Sequence, residues 1–496
     1  MKTYPQWIDE ANQHTAQARS FVGGDYVDAQ SGSDIEHINP MTGEVQYLLA
    51  LADEALLNRA VALARQRFED GQWSRCSPAH RRDTLLRLAA LIEQNREHLA
   101  LCETLDTGKA IADSFNLDVP GAAASIRWYA NALDKFYGET APVGSGVVAT
   151  VNLAPVGVVG AVVPWNFPIE TAFWKAAPAL ALGNSFVLKP DEKSSRSALA
   201  IAALAVQAGI PEGVFSVVTG GAHIGRLIGL HPDIDAIAFT GSTQIGRKFL
   251  QYSAQSNLKL VTLECGGKSA NLIFADTVDL DKAAQAAARG IFFNQGQVCS
   301  ANSRLLIQSS IAEPFIELLR SHAATFSPGH PLDPSSAAGS MIRRDHRDNV
   351  LAMVARATAA GGQIITGGEP KVIAGYDNYI EPTIVSGLPQ DAELARDEVF
   401  GPVLCVLPFE TEVEAIRIAN DSPYGLAASV WSGSFERAHR VAERLQAGTV
   451  SVNAVDALDH SLPFGGFRAS GFGRDLSLHA FRNYAQPKTT WLDYRS

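Results

Sequence analysis

Cys299 stands in Asn294–Ser300, NQGQVCS, behind a polar, glycine-bearing loop that follows an apolar stretch ending in Phe292 and Phe293. A thiolate in such a loop attacks a carbonyl carbon once its proton is removed. Glu264 lies in Val261–Lys268, VTLECGGK, at the end of an apolar segment and just before two glycines, where a carboxylate can approach a ligand. Asn166 sits between two prolines in PWNFP, and a side-chain amide held that way can donate to a developing oxyanion. The alternative readings are a structural cysteine, a solvated strand-end carboxylate and an Asx turn. Glu398, in EVFGP, is a second carboxylate of the same kind, with a turn as its alternative.

Two further segments suit a phosphorylated ligand. Thr219–Gly225 (TGGAHIG) and Thr240–Gly246 (TGSTQIG) each follow a strand-like run and open a helix-like one. Neither is a full GxGxxG, yet each presents helix N-terminal amides to an anion, and Ser242 is a good cap either way. In LKPDE, Lys189 and Glu192 fall just past a strand end. A glutamate there accepts from both ribose hydroxyls and repels a 2′-phosphate, which favours NAD over NADP. The alternative is a surface ion pair.

These residues need a frame. Asp53–Glu69, Pro78–Thr104 and Ser125–Tyr137 carry leucine, isoleucine and valine at helical spacing, so the early region reads as helices. Val156–Val163 is a nearly continuous apolar run, as expected of a strand covered on both faces. From there helix and strand alternate: Ile169–Leu182, Ser185–Lys189, Ala198–Ala208, Val214–Val218, Ile224–Gly229, Ala236–Thr240 and Gln244–Ser253. Such alternation predicts a doubly wound parallel sheet. A second unit repeats it over Ala270–Phe274, Leu280–Phe293, Arg304–Ile307, Ile311–Ala324, Ala352–Ala360, Gln363–Thr366, Val403–Pro408, Glu412–Asn420 and Ala427–Trp431. Gly144–Leu153 and Tyr484–Tyr494 are strand-like, and the latter ends exposed, where it can pair with another chain.

Composition narrows the class. The 496 residues, 46% hydrophobic and 19% charged, fit a globular chain of about three units at ~150 residues each. With 41 basic against 52 acidic residues the net charge is −11, a poor match to nucleic acid or an anionic membrane. Five scattered cysteines (76, 102, 265, 299 and 405) form no CxxC pair, so neither a disulfide framework nor a cysteine-based metal site is expected. The N-terminal segment has no apolar core of a signal peptide, and a cytoplasmic setting is expected.

PWNFP, LKPDE, FTGST, LECGGK, NQGQVC, EVFGP and PFGGF, in this order, resemble the NAD(P)-dependent aldehyde dehydrogenase superfamily over essentially the whole chain. LDTG, VPGAA, IRWYA and GRDLSLHA look like bacterial γ-glutamyl-γ-aminobutyraldehyde and 4-guanidinobutyraldehyde dehydrogenases. The resemblance implies an α/β fold with two Rossmann-like domains and a small β oligomerisation arm. Its bounds would be 1–134 with 152–262 for NAD binding, 263–473 for catalysis, and 135–151 with 474–496 for the arm of a homodimer or homotetramer. It implies Cys299 as nucleophile, Glu264 as base for a deacylating water, Asn166 with the Cys299 N–H as oxyanion hole, and Lys175 in proton flow. NAD, with NADP as the alternative, would be held by Lys189 and Glu192 at the adenosine ribose, Ser242 at the pyrophosphate and Glu398 at the nicotinamide ribose. Trp165, Gly221, Gly225, Gly241 and Phe400 would line that cleft.

The implied substrate tunnel is lined by Phe167, Glu170, Thr171, Trp174, Phe293, Asp456, Leu458 and Phe464, with Asp459 nearby; no metal is implied. Glu170 replaces an apolar residue of many relatives, which points to a cationic ω-aminoaldehyde or guanidinoaldehyde. A broad alkyl or aryl specificity is the alternative. CoA acylation is opposed by Glu264, and a non-catalytic structural role by the retained Cys299, Glu264 and Asn166. Two departures stand out: Cys265 replaces the usual leucine after the glutamate, and Gln486 stands where many relatives have a glutamate, which puts a Lys175–Glu264 proton relay in doubt.

Overall fold

Strand Val158–Val162 shows why the chain folds as it does. Val159 and Ala161 pack into one apolar cluster with helices Pro78–Gln94, Val119–Ala132, Pro168–Ala181 and Arg196–Ala208. Val158 and Val162 pack on the other face, against Glu54–Asp70, Ala222–Leu230 and Thr243–Gln255. A period of two with both faces apolar requires helices on both sides. The computed structural model describes residues 1–15 and 17–495.

The first sheet has eight strands in the order Asp25–Val27, Ser20–Val22, Phe215–Val217, Ser185–Lys189, Val158–Val162, Ala236–Gly241, Leu260–Cys265 and Gly471–Phe472. The five strands from Phe215–Val217 to Leu260–Cys265 are parallel, and the outer ones run antiparallel. After Val158–Val162 the chain builds outward through Ser185–Lys189 and Phe215–Val217, then crosses to Ala236–Gly241 on the other side. The strand order therefore reverses beside Val162 and Gly241, where a crevice opens at the carboxyl ends. The second sheet, in the order Gln363–Thr366, Thr383–Ser386, Val403–Phe409, Arg304–Gln308, Ala270–Ile273, Ala427–Trp431 and Thr449–Val452, is parallel except at its first pair. A third sheet joins Glu139–Ala141, Val147–Pro155 and Ala485–Asp493, the last two paired antiparallel over nine residues.

Several expectations need correction. The early region is not purely helical: Ser20–Val22, Asp25–Val27, Asp34–Ile38 and Val45–Ala50 are short strands, and the first two extend the first sheet. Their runs are too short to outweigh the helical texture around them. The helix expected over Pro78–Thr104 breaks at Asn95 (φ −99°, ψ 18°) into Pro78–Gln94 and Arg96–Thr107. The boundaries at 151/152 and 262/263 each fall inside a strand, Val147–Pro155 and Leu260–Cys265. Among the described residues no helix is long and apolar enough to cross a membrane.

Candidate active site

The loop before Cys299 is held in an unusual backbone conformation. Helix Leu280–Phe292 stops, and Asn294 (φ 50°), Gln295 (φ 55°) and Gly296 (φ 65°) are consecutively left-handed. Such residues other than glycine cost about 1–3 kcal/mol each and persist only where neighbours over-determine them. Here the neighbours are polar. Asn294 Nδ2 donates to the carbonyls of Asn166 and Gln297, both at 3.3 Å, and Gln297 Oε1 accepts from Ile342 N at 3.0 Å. A side chain at Gly296 would collide with the Gly401 carbonyl. Asn166 Nδ2 donates to Gln297 O at 2.9 Å, which fixes the amide against the Cys299 loop. An amide carries two N–H groups, so one remains for a ligand.

Cys299, Asn166 and Glu264 all border one cavity of about 540 Å³. It opens at the reversal of strand order, between Pro164–Phe167 and Thr240–Ser242. Glu264 ends strand Leu260–Cys265, is 6% exposed, and neither carboxylate oxygen has a hydrogen-bond partner among the described residues. Burial, then the charge of Asp475, pushes its carboxyl well above the usual range, against Lys175 and Arg474. Burial, followed by the carboxylates of Glu264, Glu398 and Asp456, pushes the Cys299 thiol up. The thiol therefore holds its proton at neutral pH until a base removes it.

Lys175 does not line the cavity. It is buried and donates to Asp475 Oδ2 at 2.8 Å, and Asp475 does line it. The acid beside Lys175 is thus Asp475, inside the GRDLSLHA ending, and not residue 486. Gln486 is exposed on strand Ala485–Asp493, in register with Ala154. The doubt attached to Gln486 is removed, because that position does not touch the site.

On the cofactor side, Trp165, Gly241, Ser242, Glu398 and Phe400 line the cavity. Trp165 meets Phe400 edge-on at 5.4 Å and His346 at 5.9 Å, and His346 Nε2 lies 2.8 Å from the Phe400 carbonyl. Glu398 Oε1 accepts from Gly267 N at 3.1 Å, and burial pushes its carboxyl up to about 7. It lies so close over Gly266 that any side chain there would strike it. Lys189, Glu192, Gly221 and Gly225 lie outside the cavity lining. Lys189 Nζ is 3.5 Å from Glu192 Oε2, its stem passes Gly225, and its carbonyl accepts from Val163 N at 3.2 Å beside the Pro164 wall. Gly221 caps helix Ala222–Leu230, with open space where a side chain would stand. These residues fit a nicotinamide dinucleotide: an open helix N-terminus, a carboxylate paired with a buried lysine, and a buried Thr240 hydroxyl with no partner among the described residues.

The same sequence pattern and fold occur in known proteins. The family model for the aldehyde dehydrogenase family matches residues 26–490. The chain belongs to the aldehyde dehydrogenase family. It is 48% identical to the NADP/NAD-dependent aldehyde dehydrogenase PuuC of Escherichia coli (strain K12), over 98% of each chain. The γ-glutamyl-γ-aminobutyraldehyde dehydrogenase of Burkholderia cenocepacia J2315 superposes with a TM-score of 0.98 at 47% identity, over the whole of both chains. The indole-3-acetaldehyde dehydrogenase AldA of P. syringae, solved with NAD+ and IAA, gives 0.98 at 46%, over 99% of this chain and 100% of that one. This aldehyde dehydrogenase is an α/β oxidoreductase that oxidises aldehydes with NAD(P).

The far side of this dehydrogenase's cavity is walled by aromatic pairs, Phe167 with Phe293 at 6.3 Å and Trp174 with Phe464 at 5.3 Å, and by Thr171 and Leu458. Glu170 and Asp456 line it too. Burial pushes their carboxyls up, to about 8 and about 6. Asp459 does not line it; its carboxylate is exposed and accepts from Ser461 N at 2.8 Å. Sequence reasoning missed Asp118, Leu117, Arg289, His346 and Asp475, all of which line the cavity. Asp118 directly precedes VPGAA and Asp475 lies within GRDLSLHA, so one sat beside a motif and the other inside one, and neither charge had an assigned place. Asp118 Oδ2 accepts from buried Lys109 Nζ at 2.6 Å, while its Oδ1 is buried without a partner among the described residues.

Proposed function

We propose that this enzyme oxidises a cationic ω-aminoaldehyde or guanidinoaldehyde of polyamine breakdown to its acid. The reading rests on one observation: the carboxylates of Asp118, Glu170 and Asp456 all face the aromatic-walled side of the cavity. A carboxylate about 8 Å from a substrate cation, at an effective dielectric near 20, contributes at most about 2 kcal/mol. Lys109 offsets part of Asp118, so Glu170 and Asp456 supply most of the discrimination. The Burkholderia enzyme, by its name a dehydrogenase of an aminobutyraldehyde derivative, supports it. The aromatic pairs and the P. syringae enzyme favour a second reading, an arylalkyl aldehyde.

The residues would divide the work as follows. Cys299 loses its thiol proton to Glu264 or solvent and bonds to the aldehyde carbon. Asn166 and the Cys299 N–H hold the resulting alkoxide, a donor pair worth roughly 10²–10³ in rate per donor. A bound NAD supplies the acceptor for the hydride leaving that carbon, and a thioester on Cys299 remains. Glu264 takes a proton from water, which hydrolyses the thioester to the carboxylic acid. Its raised proton affinity makes it a strong base once ionised, and the Lys175–Asp475 pair tunes it. Lys189 and Glu192 would position the adenosine ribose, Ser242 the pyrophosphate and Glu398 the nicotinamide ribose, with Trp165, Gly221, Gly225, Gly241 and Phe400 shaping the cleft.

In the same reading the first sheet with its helices binds NAD, the second carries Cys299, and the third is the arm of a cytoplasmic homodimer or homotetramer. The free edge of Ala485–Asp493 and exposed Trp491 support that arm. The test is steady-state kinetics above pH 8, where Glu170 is ionised, with 4-aminobutyraldehyde, butyraldehyde and an arylalkyl aldehyde, in the wild type and Glu170→Gln. A fall of about tenfold in the amino-to-alkyl ratio of kcat/KM supports the cationic reading. An unchanged ratio, or an arylalkyl substrate preferred by both proteins, overturns it.

A further inference from the structure

Three side chains outside the active cavity converge where the N-terminal helix Tyr4–Gln13 ends against helix Arg96–Thr107. Cys102 Sγ lies 3.5 Å from His14 Nε2 and 3.8 Å from His98 Nε2. His98 and Cys102 are one helical turn apart, so the helix itself presents them together, and His14 caps the other helix. We propose that His14, His98 and Cys102 form a binding site for a thiophilic cation, Zn²⁺ in the first place, which clamps the N-terminal helix to the body of the protein.

Geometry carries the proposal. A tetrahedral centre with Zn–S of about 2.3 Å and Zn–N of about 2.0 Å sets sulfur and nitrogen about 3.5 Å apart. The two observed separations are within a few tenths of that. All three potential ligand atoms lie within 4.8 Å of one another. Cys102 is buried, His14 half-buried and His98 exposed, so a fourth, solvent-facing position remains for water. Three protein ligands with water make a complete zinc shell.

The surroundings fit. Both imidazoles turn Nε2, the nitrogen a metal would take, toward the Cys102 sulfur. Burial pushes the Cys102 thiol up to about 12. Binding therefore proceeds as Cys–SH + Zn²⁺ → Cys–S–Zn⁺ + H⁺, with the proton released to solvent. Arg196 Nη1 approaches His14 Nδ1 at 3.4 Å, a weak contact given up when Nδ1 carries the ring proton. The Arg196 charge is countered by Asp106, whose Oδ1 accepts from Nε at 2.6 Å, and Glu10 adds negative charge beside His98.

The experiment uses the full chain with Cys299→Ala, so that the active-site thiol does not bind the probe. Titration with Co²⁺ is expected to bind one equivalent, with tetrahedral d–d bands and a thiolate-to-cobalt charge-transfer band, both removed by Zn²⁺. The exposed ligand is then deleted: His98→Ala is expected to weaken binding by at least tenfold, and Cys102→Ser to lose the charge-transfer band. Zn²⁺ is expected to raise the thermal midpoint of Cys299→Ala and not of the His98→Ala double variant. Absence of the cobalt band in Cys299→Ala, or its persistence at equal affinity with His98→Ala, overturns the proposal and leaves a thiol hydrogen-bonded to imidazole.

Discussion

The cavity has two walls built in opposite ways. The wall holding Cys299, Asn166 and Glu264 comes from strand ends and loops locked by hydrogen bonds from amide side chains to the backbone, with glycines where the chain passes close. The wall holding Asp118, Glu170 and Asp456 comes from the flanks of helices and one loop, with charges that are buried and only partly paired. The first wall is fixed by backbone and tolerates little. The second is set by side chains facing a shared space, and can change specificity without touching the chemistry.

The largest effects should fall on the first wall. Cys299→Ala is expected to abolish NADH formation with every aldehyde, while Glu264→Gln is expected to give one equivalent of NADH in a burst and then to stall, as read by stopped-flow absorbance. Asn166→Ala should follow, with kcat lower by about 10²–10³ and little change in thermal stability. If that variant instead loses stability with kcat intact, the Asn294–Gln297 scaffold is its main role.

Asp475→Asn joins the two walls. Leaving Lys175 buried without its partner should cost about 3–5 kcal/mol in denaturant unfolding. Removing a negative neighbour of Glu264 should also move the acid limb of deacylation to lower pH, since Asp475 raises that carboxyl and Lys175 lowers it. An unmoved pH profile would separate Asp475 from the base.

The second wall should answer more mildly and only in selectivity. Glu170 is largely neutral below about pH 8 and attracts a cation only once ionised. Preference for 4-aminobutyraldehyde over butyraldehyde should therefore grow from pH 6 to above 8, and Glu170→Gln should flatten that rise. The smallest effect belongs to Gln486→Glu, which should leave kcat within about twofold, because the residue sits on the exposed arm.

The two walls also differ in how legible they were. Cys299, Glu264 and Asn166 announce themselves through Gly, Pro and Asn at short spacing, because a backbone that must turn tightly needs those residue types locally. The alternating apolar runs gave away both large sheets for a similar reason, since a strand buried on two faces has few compatible compositions. The N-terminal strands, three to six residues long, escaped because runs that short carry little periodicity. His346 escaped because helix Arg344–Ala359 was read only from residue 352, leaving its first turns unplaced. Asp475 and Asp118 were visible as letters, but a carboxylate has no local signature that says which lysine it will meet.

Local chemistry therefore determined by itself the parallel sheets, the family and the reacting residues, since each is enforced by backbone geometry over a few neighbouring positions. Only the tertiary structure decided that Lys175 answers to Asp475, that Gln486 stands apart, and that three carboxylates from distant segments face one aromatic chamber. Those facts depend on which side chains meet after long stretches of intervening chain are packed, and burial then sets their charge.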